Sequence, residues 1–270
     1  MPLDPAALAA LRALTRVLGP DTPMVIIGAT APLVLLDFRQ GGGGGRVTRD
    51  VDTVVHVASW EEFATLKRRL IEVGFREGRE PQRLYLGTAE LDVIPYSTAL
   101  APQDLLEWPG EDRAMSTLGL AEALVSARPE AIGDELILPM VPLAACALLK
   151  LIAYRDRPAE RARDLVDVVY CFERYAEEPG GPRHDVAGVM VDDQVVAFEE
   201  AGAYLLGAEA AGLARPETLA AIREVLARLA DEDAPPFRQI LAEEARWDEE
   251  GQRRRFLHRL FRVFAAGFAQ

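Results

Sequence analysis

Two aspartates one residue apart, Asp50 and Asp52, open the run Asp50-Val51-Asp52-Thr53-Val54-Val55. In an extended strand side chains alternate between faces, so both carboxylates leave one face with their Cα atoms about 7 Å apart. Hard oxygen donors at that spacing suit one or two divalent cations. A solvated pair on a surface strand is the ordinary alternative, because charged residues mostly stay outside. Three companions argue for chemistry: Gly28-Ala29-Thr30 upstream, Asp92 within Leu91-Asp92-Val93, and Lys150 within an apolar helix.

Leu91, Val93 and Ile94 around Asp92 indicate an interior strand, and buried charges are paired or coordinate metals. Beside the Asp50 strand, Asp92 would supply a third carboxylate able to hold a second ion and favour deprotonation of an attacking hydroxyl. Lys150 is the one charge in the run from Val141 to Tyr154. Its ammonium must snorkel, pair with a carboxylate or reach a ligand phosphate, and we expect the phosphate. Tyr154 and Arg157 follow at i+4 and i+7, adding an aromatic ring that could stack a base and a second cation. Asp164 and Asp167, one turn apart, give Lys150 or Arg157 a partner when no nucleotide is bound. Nucleotidyl transfer requires this inventory: a cation on the triphosphate, a second ion or base for the acceptor, and positive charge against the transferring group.

These residues need elements to hold them. Asp4-Pro5 predicts a helix running to Gly19, with Leu8, Leu11, Leu14, Val17 and Leu18 at helical spacing. Met24–Ile27 predicts a central strand, and Gly28-Ala29-Thr30 turns it into a helix ending near Phe38. Free N–H groups at such a turn can bind phosphate. Five glycines, Gly41 to Gly45, predict a mobile loop before Arg46. Ser59 and Glu62 predict a capping box, with a helix to about Gly74. Strands are expected over 75–77, 82–86, 90–96 and 136–138, and helices over 118–127, 141–154 and 159–175. After Glu178-Pro179-Gly180-Gly181-Pro182, helical patterns run over 194–206, 216–229, 236–247 and 252–268. The expected class is α+β: a small mixed sheet flanked by helices over residues 1–178, then an all-helical part over 183–270.

Half of the 270 residues are apolar and 27% are charged, which excludes global disorder. A formal charge of -13 excludes a chain coated in positive potential for nonspecific nucleic-acid binding. A local groove built on Lys67-Arg68-Arg69 or Arg253-Arg254-Arg255 stays compatible with it, as does the solvated side of a helix. Cys146 and Cys171 fit neither a disulfide framework nor a zinc motif, so both are expected buried and reduced. His56, His184 and His258 sit in no nucleophile or zinc pattern. With no signal-peptide pattern and no apolar run long enough to span a bilayer, a soluble cytoplasmic protein without membrane partners is expected.

The motifs together resemble the DNA polymerase beta-like nucleotidyltransferases, specifically the AbiEii-type toxin family of abortive-infection and toxin-antitoxin systems. The family's Gly-Gly-Thr-Ala-Leu turn is similar to Gly28-Ala29-Thr30-Ala31-Pro32-Leu33, with Ala29 where the family has a second glycine. Its Arg-x-Thr-x-Asp-x-Asp is similar to Arg46, Thr48, Asp50 and Asp52. Its Lys-Leu, Ala, Arg and basic-Asp series resembles Lys150-Leu151, Ala153, Arg157, Arg163-Asp164 and Asp167. The resemblance implies that Asp50, Asp52 and Asp92 hold magnesium or manganese, with Asp50, Asp52, Asp92 and Lys150 catalytic. It implies nucleotide binding by Gly28, Ala29, Thr30, Arg46, Thr48, Lys150, Tyr154, Arg157 and Asp164. The implied reaction moves a nucleoside monophosphate from a nucleoside triphosphate to a hydroxyl of an acceptor, RNA or tRNA, with a cognate antitoxin as partner. Transfer to a small molecule such as an aminoglycoside, or a nucleotide-binding module without catalysis, are the alternatives.

Overall fold

The computed structural model describes residues 3–38, 49–112, 114–132, 136–186, 188–244 and 251–270. They group into two compact units, Met1–Pro142 and Leu143–Gln270. The first opens with helix α1 (Pro5–Leu18), where the Asp4 carboxylate accepts the Ala6 N–H at 2.8 Å and Pro5 fills a first-turn position that needs no donor. Its Ala7, Leu8, Leu11, Leu14 and Val17 form the buried stripe. Strand β1 (Met24–Ile27) is buried throughout, as a central strand must be. The chain then turns through α2 (Thr30–Pro32) into a π-helical turn over Leu33–Phe38.

Strand β2 (Asp50–His56), helix α3 (Trp60–Glu72) and strands β3 (Arg76–Glu77), β4 (Arg83–Leu86) and β5 (Ala89–Tyr96) follow. Ser59 caps α3 by accepting the Glu62 N–H at 3.2 Å. The Glu62 carboxylate accepts from Ala58 at 2.6 Å, one residue ahead of the reciprocal bond that the Ser59/Glu62 spacing predicts. Strands β6 (Leu105–Glu107) and β7 (Ala114–Ser116) form a separate hairpin before α4 (Leu120–Ser126), β8 (Arg128–Ala131) and β9 (Ile137–Met140). The seven-stranded mixed sheet runs β3-β4-β5-β2-β1-β9-β8. In it β2 and β5 are parallel, as are β1 and β9, and the other pairs are antiparallel. Helix α1 lies against β4, β5 and α3.

The second unit is built on α5 (Leu143–Asp156), buried on nearly every side, and α6 (Ala162–Arg174), buried along one stripe. After these come a short hairpin, β10 (Met190–Val191) and β11 (Gln194–Val195), and helices α7 (Phe198–Leu213), α8 (Pro216–Arg228), α9 (Pro235–Glu243) and α10 (Gln252–Phe268). Residues 194–195, expected to begin a helix, belong to that hairpin. Gly207 lets α7 and α10 touch, since a Cβ there would stand 2.3 Å from the Phe264 carbonyl oxygen. Cys146 and Cys171 are buried thiols.

The Pro-Gly stretch at 178–182, expected as the boundary after residue 178, lies inside the second unit, and the chain divides at Pro142/Leu143 instead. Arg183 explains the difference. The residue is 3% exposed, and its guanidinium donates to the carbonyls of Phe172, Glu173 and Tyr175 at the end of α6 and to that of Phe198 at the start of α7. Cations are favoured at helix C-termini, so the turn is stapled to both neighbours. The basic stretches are likewise used internally: Lys67 pairs with Glu77 at 2.6 Å, and Arg253 bridges Glu173 and Glu244. Among the described residues no helix is long and apolar enough to cross a membrane.

Candidate active site

The parallel register of β2 and β5 sets Asp50 opposite Glu90 and Asp52 opposite Asp92. Residues paired in register share a face, so four carboxylates project from the same side of the sheet. The intervening Val51, Thr53, Leu91 and Val93 are buried on the other side. Asp92 thus stands beside Asp52 on the face expected for it.

Asp92 is not free to turn toward Asp52. In the antiparallel register with β4 it also faces Arg83, whose Nε and Nη2 donate to its two carboxylate oxygens at 2.9 Å each. The remaining Arg83 nitrogen lies 2.8 Å from Glu90 and 3.7 Å from Glu80. These bonds to Asp92 hold the guanidinium well above its ordinary range. Burial raises the Glu90 carboxyl, helped by the charges of Asp50 and Asp92 and opposed by that of Arg83. Among the described residues no three His, Cys, Asp or Glu side chains converge closely enough to hold a metal ion. Both oxygens of the third carboxylate, Asp92, are engaged by Arg83.

Gly28 is fitted to this face. Its φ of +70° is a left-handed conformation, and a Cβ there would fall 2.0 Å from Asp52 Oδ2. Only glycine lets the turn after β1 come so close to the carboxylate. Ala29, by contrast, has φ -71° and ψ -17°, right-handed values that any L-residue adopts, so the absence of a second glycine costs the turn nothing. Thr30 is 1% exposed, and its hydroxyl has no hydrogen-bond partner among the described residues. The helix beyond is only three α-helical residues before the π turn. Gly41 to Gly45, Arg46 and Thr48 lie outside the described residues.

Arg83 and Glu90 were not singled out from the sequence, yet a signal exists. Gly87, with φ +60°, and Thr88 join β4 to β5 in a two-residue turn that pairs Leu86 with Ala89. Counting outward from that pair sets Arg83 opposite Asp92.

In the second unit, Lys150 is 6% exposed and bridges α5 to α6, with Nζ 2.6 Å from Asp167 and 3.2 Å from Asp164. Burial would lower its pKa, but the two carboxylates outweigh it and raise the ammonium above the ordinary lysine value. Asp164 also lies 3.7 Å from Arg161. Lys150 therefore has two carboxylate partners where one was expected, and its charge is already matched inside the unit. Tyr154 is buried, 3% exposed, against the expectation that it offers a ring face to a base. Arg157 is half exposed and stands 3.8 Å from Glu160. His258 Nε2 contacts the Ala230 carbonyl oxygen at 2.9 Å, a structural role.

No protein-family model matches the chain, and no curated protein matches it. Among solved structures it is similar to JHP933 from Helicobacter pylori, at 14% identity over 99% of this chain and 94% of that one, with a TM-score of 0.40. It is also similar to an antigenic nucleotidyltransferase-like protein from Paracoccidioides brasiliensis, at 18% identity over 81% of this chain and 90% of that one, with a TM-score of 0.39.

Proposed function

We infer that the chain is a metal-dependent nucleotidyltransferase that moves a nucleoside monophosphate from a nucleoside triphosphate to an acceptor hydroxyl. The acceptor in this reading is RNA, tRNA included, and the chain acts as the toxin of a toxin-antitoxin or abortive-infection pair, with the antitoxin as its partner. One observation carries it: Asp50 and Asp52 share a sheet face, with the Gly28 turn packed so closely on Asp52 that no side chain fits between them.

The donor set fits magnesium or manganese, which take one or two protein carboxylates and complete their shell with water and substrate phosphates. Asp50 and Asp52 would hold the ion, which when bound would neutralise triphosphate charge and polarise the transferring phosphorus. Gly28 keeps the backbone against Asp52, leaving the carboxylate no room to rotate toward the turn. Asp92, gripped through both oxygens by Arg83, contributes fixed charge beside Asp52.

The test is incubation of the protein with magnesium, each labelled nucleoside triphosphate in turn, and total RNA, followed by mass measurement of the labelled product. A nucleotide added to RNA is the expected result, and label on no acceptor with any nucleotide would overturn the reading. Transfer to a cationic small molecule is favoured by a different observation, the acidic surroundings of the face, where Glu80 and Glu90 stand beside Asp92. Replacing RNA with aminoglycosides in the same assay decides between the two acceptors.

A further inference from the structure

The Arg83 fork lies on the acidic face, and the proposed reaction gives it no step. Arginine is charged at every accessible pH and matches a carboxylate with two parallel N–H donors, so Asp92 is neutralised without any ion from solution. The pair is partly buried: the Asp92 side chain is 13% exposed and that of Arg83 28%. A competing cation at Asp92 would have to displace both of these charge-assisted hydrogen bonds from a partly buried carboxylate, leaving Arg83 to Glu90 and Glu80. Both Asp92 oxygens are engaged from the β4 side, while Asp52 flanks it from the β2 side. Asp50 and Asp52 lie on β2, which is separated from Arg83 on β4 by the whole of β5.

We propose that Arg83 stands in for a second divalent cation at Asp92, so that the acidic face takes one ion, on Asp50 and Asp52, rather than two. The proposal rests on the cation site of the preceding section and adds its stoichiometry and the residue that sets it. Arg83 is a specificity-determining residue: it fixes the charge at Asp92 and withholds that carboxylate from metal coordination. With both oxygens accepting from a guanidinium, Asp92 is also a poor base, and the acceptor proton must leave by another route.

Manganese alone is the probe, with bound ion counted by electron paramagnetic resonance on the full chain. The count for the acidic face is what is lost in the double variant Asp50→Asn, Asp52→Asn. One ion is expected for the unaltered protein, with no change on Asp92→Asn. Arg83→Gln is expected to add one ion, which is lost again when Asp92→Asn is combined with it. Two ions in the unaltered protein, fewer ions on Asp92→Asn alone, or no gain in a folded Arg83→Gln protein would overturn the role of Arg83 and leave the Asp50–Asp52 site standing. A double variant that loses no ion would instead overturn that site, and the inference with it. Should Arg83→Gln fail to fold, Asp92→Asn in the unaltered background still decides, because a carboxylate that binds manganese cannot become an amide without loss.

Discussion

At the level of single residues, the acidic face depends on a glycine as much as on its aspartates. Gly28 holds a left-handed φ of +70°, and any Cβ would enter the Asp52 carboxylate. The left-handed conformation alone costs an L-residue about 1–2 kcal/mol. Gly28→Ala should therefore lose at least about 2 kcal/mol in denaturant unfolding, whereas Ala29→Gly, one position on, should lose no more than about 1 kcal/mol. Equal effects at the two positions would contradict the close approach. Lys150 makes a different residue-scale prediction. Lys150→Met removes the cation at Asp167 and the nearer of the two at Asp164, and breaking a buried pair from one side costs about 3–5 kcal/mol. Because the folded state holds this ammonium above its ordinary value of 10.5, the stabilisation is complete below that pH and fades as pH rises through the raised value. The stability gap between the variant and the unaltered protein, read from melting curves, should accordingly narrow in strong alkali. A variant as stable as the parent at neutral pH would return Lys150 to a ligand-binding role.

At the level of elements, local chemistry fixed what the chain makes explicit and left silent what depends on distant partners. The Asp4-Pro5 cap, the Ser59 cap, the buried β1 and the alternating β2 and β5 were all legible, because each is encoded within a few residues. Short strands such as β6, β7 and β8 carry too few residues to show a period. The Pro-Gly stretch near residue 180 looked like a boundary because a turn and a linker share composition, and only the Arg183 contacts distinguish them. The α7–α10 contact was hidden for the same reason: Gly207 and Gly212 are alike in sequence. A Cβ at Gly207 meets the Phe264 carbonyl oxygen at 2.3 Å, while one at Gly212 meets nothing within 4 Å. Gly207→Ala should cost about 1–3 kcal/mol through overpacking, and Gly212→Ala should gain about 0.4–1 kcal/mol by restricting the unfolded chain. Thermal unfolding of the two variants checks this, and the same sign of effect in both would contradict the packing described.

At the level of the whole molecule, the candidate site was legible in its residues and less so in its wiring. Asp50, Asp52 and Asp92 were identified by type and spacing, and their shared face follows from strand periodicity and the β2–β5 register. The wiring was readable only in part: the Gly87-Thr88 turn sets Arg83 opposite Asp92, and helical spacing offered Asp164 and Asp167 to either Lys150 or Arg157, but the packing of α5 on α6 was needed to give both to Lys150. Those pairings show that Asp92 and Asp167 are matched by cations of the chain itself. The central claim, that Asp52 serves chemistry rather than folding, is tested most directly by Asp52→Asn, comparing nucleotide transfer and melting temperature in the same preparation. Removing one of several clustered negative charges relieves repulsion, so the melting temperature should hold or rise while transfer falls to background. Transfer retained at the parent rate in the Asp52→Asn protein would contradict it.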